Sequence, residues 1–71
     1  MGIPRIGTEI KIINAGTGAI GCNGEIGTVT NEMSSNGIWD ADAGYNVRLK
    51  NGEIWRINEN ANIEILRIVI Q

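Results

Sequence analysis

The sequence predicts an all-β domain, and three observations carry that prediction. Residues 45–58 read Tyr-Asn-Val-Arg-Leu-Lys-Asn-Gly-Glu-Ile-Trp-Arg-Ile-Asn, two alternating runs joined at Asn51-Gly52, the strongest short-range hairpin signal. Nowhere do apolar residues recur with the 3.6-residue period of an amphipathic helix, and no repeat of solenoid period is present. Ten glycines and clusters of Asn, Ser and Asp punctuate the chain into short segments.

Residues 1–7 form a lead-in in which Pro4 favours extended backbone. Residues 8–13, Thr-Glu-Ile-Lys-Ile-Ile, alternate polar and apolar and make the first strand, with Ile10 and Ile12 on one face. Residues 14–24 hold Gly16, Gly18, Gly21 and Gly24, a density that breaks helices and weakens strands, so they form a long loop. Residues 25–32 give the second strand through Ile26, Thr28, Val29 and Thr30, with Gly27 marking a bulge or a close backbone approach. Residues 33–44 are polar and turn-rich and read as a second loop around Ile38 and Trp39. After the hairpin, residues 59–62 suffice for a 3₁₀ turn, and residues 63–71 form a closing β-branched strand.

Side-chain chemistry fixes the hairpin register, because a slip by one residue moves every side chain to the other face. A two-residue turn would pair Val47 with Arg56. A three-residue loop, residues 50–52 with Gly52 left-handed, instead pairs Val47 with Trp55 and Tyr45 with Ile57. The second register is expected. It gathers Tyr45, Val47, Leu49, Trp55 and Ile57 as core and turns Asn46, Arg48, Ile54 and Arg56 outward.

Composition limits the functions open to the chain. Seventy-one residues make one domain, expected over 1–71 with its core at about 7–67, and a core of that size yields only roughly 3–5 kcal/mol of net stability. Six basic against eight acidic residues give a net charge of −2, whereas nucleic-acid modules show a basic excess. One cysteine and no histidine provide neither an internal disulfide nor a Cys/His zinc set. A cytoplasmic location is expected. No apolar run is long enough to span a membrane as a helix, and no signal-type or lipidation segment is recognisable.

Five features could carry chemistry. Gly16-Thr-Gly-Ala-Ile-Gly21 spells G-x-G-x-x-G after an apolar strand, but the glycines that follow forbid the helix a dinucleotide fold requires, leaving a plain loop or a nest of N–H groups for an anion such as phosphate. Asp40 and Asp42 lack the further ligands of a calcium loop and read as a solvated acidic loop. Cys22 has no histidine to act as its base and reads as a small filler. Arg48 and Arg56, beside Ile54 and near Lys11 and Lys50, could present two guanidinium groups to a phosphate or carboxylate, or simply pair with Glu9, Glu53 or Glu64 on a solvated face. Trp39, on a polar loop, is either a lid over the core or an aromatic anchor for a partner. No set of residues identifies a reaction, and no enzyme activity, cofactor or metal is expected.

The order of segments, with the Gly-x-x-Gly-x-Val of residues 24–29 and the Tyr-x-Val-x-Leu-x-Asn-Gly-Glu-x-Trp-x-Ile hairpin, resembles small SH3-like β-barrels of the SH3 and KOW type over about residues 7–67. The resemblance implies a five-stranded barrel with a long glycine-rich first loop, a distal turn at residues 50–52 and a 3₁₀ turn before the last strand. It implies a binding module. The chain departs from proline-rich-peptide binders in lacking their aromatic cluster. The chain also resembles small proteins of phages and mobile elements. Three expectations follow from these resemblances: a non-enzymatic module for a partner protein or a small anionic, phosphate-containing ligand; an oligomeric sponge for a nucleotide second messenger of host defence, using the glycine loop and Arg48 with Arg56; and, less favoured by the charge, a KOW-like nucleic-acid contact. A homo-oligomer is expected from the closing strand, where Ile63, Ile65 and Val69 lie on one side with Arg67 while Leu66, Ile68 and Ile70 lie on the other with Glu64. Both sides are apolar, and one core can bury only one of them.

Overall fold

The computed structural model describes residues 3–38 and 43–68. Trp39, Asp40, Asp42, Val69 and Ile70 lie outside the described residues, as do the expectations placed on them. The rest is all-β: β1 (Glu9–Asn14), β2 (Ile26–Thr30), β3 (Asn36–Gly37), β4 (Gly44–Leu49), β5 (Ile54–Asn58) and β6 (Asn62–Arg67), with one 3₁₀ turn at Ile20–Cys22. They form a single sheet in the order β3-β5-β4-β2-β1-β6, antiparallel except for β3 against β5.

The hairpin has the register that side-chain chemistry demands. Val47 stands opposite Trp55 and Tyr45 opposite Ile57. Gly52, at φ 94°, closes the loop as its N–H donates to the Leu49 carbonyl at 3.0 Å, while Leu49 N–H donates to Glu53 O at 2.8 Å. The alternation on β4 and β5 therefore buries Tyr45, Val47, Leu49 and Ile57. Trp55 is only half-buried, because its ring lies over the first loop at the margin of the core and its Nε1 donates to Glu53 Oε1 at 3.3 Å.

Ile10 and Ile12 from β1, Val29 from β2, and Ala15, Ala19 and Cys22 from the first loop complete the buried cluster. A flat sheet cannot cover its own face, so this one curls around these side chains while the loop folds over them. Small residues make that possible. Gly27 marks a close approach: a Cβ there would sit 2.6 Å from Val47 Cγ1 and 2.7 Å from the Arg48 carbonyl.

Three expectations are corrected. Six strands replace five, because Ser35 N–H donates to Ile54 O and Ile38 N–H to Arg56 O, which seats Asn36–Gly37 as a short parallel edge. Gly37 is needed there, since a Cβ would run into the Arg56 carbonyl. The sheet is also open, with β3 and β6 as its edges among the described residues, rather than closed by hydrogen bonds. Finally, β6 does not alternate simply. Ile10 stands opposite Ile65 and Glu9 opposite Arg67, so Leu66 is an extra residue and Arg67 shares the face of Glu64, not that of Ile63 and Ile65.

Candidate functional site

An open cleft of about 450 Å³ lies where three stretches of chain, residues 14–17, Ile38 and residues 58–62, meet at one end of the sheet. β1 and the neck of the first loop contribute Asn14, Ala15, Gly16 and Thr17; Ile38 follows β3; Asn58 ends β5; Asn60 and Ala61 occupy the turn; and Asn62 begins β6. Asn14 and Asn62 are directly opposite each other across β1 and β6.

The asparagines are there for a local reason first. Asn14 Oδ1 accepts from Gly16 N–H at 2.9 Å and Asn58 Oδ1 accepts from Asn60 N–H at 2.8 Å, the side-chain turn that lets Asn redirect a chain. Using the oxygen in this way leaves each Nδ2 as a donor with no partner among the described residues. The side chains of Asn60 and Asn62 make no hydrogen bonds among the described residues either. The cleft is thus lined by four carboxamides, one threonine hydroxyl and the apolar surfaces of Ile38 and Ala61, with no charged side chain among the described residues. Such a lining can donate to carbonyl and hydroxyl oxygens without the desolvation cost of a buried charge.

The residues singled out in the sequence are dispersed by the fold. Gly16 lines the cleft, Gly18 lies against Ile38, and Gly21 lies under Trp55, where a Cβ would meet the indole Cη2 at 2.6 Å. The N–H groups of Ala15, Ala19 and Cys22 donate to Asn23 Oδ1, Gly16 O and Ala19 O, so they serve the loop itself. Cys22 is buried and its Sγ–H donates to the Ala19 carbonyl at 3.1 Å. Burial pushes its thiol pKa up, the reverse of what a nucleophile needs.

Arg48 and Arg56 are diagonal neighbours on the outward face, Arg48 opposite Ile54 and Arg56 opposite Asn46. Arg48 Nη1 pairs with Glu32 Oε1 at 2.7 Å, Arg56 Nη1 donates to Asn46 Oδ1 at 3.3 Å, and Asn46 Nδ2 donates to Glu32 O at 2.7 Å. This network ties the hairpin to the segment after β2. Lys50 and Glu9 pair at 3.7 Å. The face carries both signs of charge, and the Arg48–Glu32 ion pair is half in water, where such pairs contribute about 0–1 kcal/mol.

Sequence reasoning missed the cleft. The available signal was Asn58, Asn60 and Asn62 at every second position, read there only as the end of the hairpin and a turn. No group of three or more Cys, Asp or Glu residues among the described residues is placed to hold a metal ion. Compared with protein-family models, with curated proteins and with solved structures, the chain matches none.

Proposed function

We propose that this chain is a non-enzymatic binding domain whose partner is another protein, and that an uncharged, carbonyl-bearing segment of that partner docks in the asparagine cleft. The observation that carries this reading is that Asn14 and Asn58 both line the cleft, with their carboxamide oxygens held by backbone N–H groups and their nitrogens without a partner among the described residues. Amide donors fixed by the backbone lose little freedom on binding, which suits recognition of main-chain carbonyls. The expected resemblance to SH3-like domains is in keeping with this reading, since β1, β2, β4 and β5 follow one another across the sheet and β6 returns beside β1.

Thr17 and Asn62 are exposed and rim the cleft, so Thr17→Trp with Asn62→Trp fills it without touching the core. Peptides selected from a random display library against the wild-type domain are expected to bind the double variant roughly tenfold or more weakly, a loss of about 1.4 kcal/mol. Equal binding by both proteins removes the cleft from the account.

The second reading, a phosphate-containing small ligand, draws on Arg56, half-buried on the outward face beside Asn46. Its test is mass spectrometry of the natively purified protein after denaturation. A stoichiometric nucleotide released from the wild type and absent from Arg56→Ala supports it, and a ligand-free wild type opposes it.

A further inference from the structure

β6 is the only long edge of the sheet among the described residues, since β3 at the opposite edge is two residues long and too short to template another strand. Three large aliphatic side chains stand out from it and from the residue that follows: Ile65 is 50%, Leu66 43% and Ile68 63% exposed. Single exposed aliphatics are ordinary, but these are neighbours beside a row of main-chain groups with no strand on its outer side.

The extra residue at Leu66 adds a second property. Glu64 stands opposite Lys11 and Arg67 opposite Glu9. Glu9 and Lys11, two apart on β1, share a face. Glu64 and Arg67 therefore share that face although three positions separate them, which a regular strand forbids. Neither belongs to an ion pair among the described residues, and Glu9 is taken by Lys50 instead.

We infer that β6 pairs antiparallel with β6 of a second copy about a two-fold axis between Ile65 and Leu66. Glu64 of each copy then faces Arg67 of the other, Ile65 faces Leu66, and Ile63 faces Ile68. Charge alternates in sign across the joined sheet, from Lys11 to Glu64, then to Arg67 and Glu9 of the second copy. Registers centred on Glu64, Ile65 or Arg67 fail this test. Centring the axis on Glu64 or on Arg67 sets like charges opposite each other, and centring it on Ile65 sets Arg67 opposite Ile63. The occupant is a second copy because the pattern is complementary to itself, as a two-fold interface requires. The two charges that would repel a chance strand are matched only by their own mirror sequence. This inference rests on residues 63–68 and not on the cleft, which touches β6 only at its first residue, Asn62.

Sedimentation equilibrium of the full chain at micromolar concentration tests it with two charge reversals at exposed positions, Glu64→Arg and Arg67→Glu. The wild type is expected to have a dimer mass. Each variant alone sets like charges opposite each other and is expected to raise the dissociation constant roughly tenfold or more. An equimolar mixture of the two variants joins opposite charges at both sites and is expected to restore the dimer, which a misfolded variant could not do. A monomeric wild type, single variants that remain as dimeric as the wild type, or a mixture that stays monomeric would each overturn the inference.

Discussion

Tyr45 shows how a single side chain reports on the core. It is 6% exposed, and burial pushes its phenol up to about 12, from an ordinary value near 10. The folded state therefore keeps its proton at a pH where the unfolded state has released it. Stability is unaffected below about pH 10 and falls as pH rises toward 12, by about 2–3 kcal/mol at 1.36 kcal/mol per unit. A denaturation series across that range checks the slope, and Tyr45→Phe is expected to flatten it. Cys22 obeys the same rule: its buried thiol resists ionisation, and its hydrogen bond to Ala19 O pins the first loop rather than activating the sulfur. Asn14 and Asn58 act in reverse, keeping their polar ends at the cleft while their oxygens shape the turns.

The sheet depends on close approaches between particular pairs of strands, and Gly27, where β2 meets β4, is one of these. A methyl group there meets both Val47 Cγ1 and the Arg48 carbonyl, and the carbonyl cannot yield without moving β4. Gly27→Ala gains about 0.5–1 kcal/mol from lower unfolded-state entropy but loses about 1–3 kcal/mol to overpacking. A net loss of about 1–2 kcal/mol is expected, lowering the melting temperature by roughly 10 °C in a domain of this size. An unchanged melt would contradict the pairing of β2 with β4. The hairpin was fully legible in the sequence because its determinants are local: Asn51-Gly52 sets the turn, and alternation sets the faces. β3 was not, because Asn36 and Gly37 acquire strand geometry only from carbonyls on β5. The extra residue at Leu66 was equally hidden, since it exists relative to Ile10 on a strand more than fifty positions away. Half of the candidate site was legible as a run of asparagines, but Asn14 joins Asn58 and Asn62 only when β6 returns beside β1.

As a whole, the molecule is a curled sheet with its small-residue loop packed into the core, and its chemistry lies at the surface, in positions set by topology. The cleft forms where β1, β5 and β6 begin or end. The β6 edge carries its charges on one face because of a single inserted residue, and the outward arginines are engaged with Glu32 and Asn46. The central claim is that the asparagine cleft is the recognition surface. The measurement that tests it most directly is an amide chemical-shift map of the isotopically labelled protein, titrated with a peptide selected for binding. The account predicts that the shifted amides cluster at residues 14–17 and 58–62; shifts confined to Arg48, Ile54 and Arg56 on the outward hairpin face would contradict it.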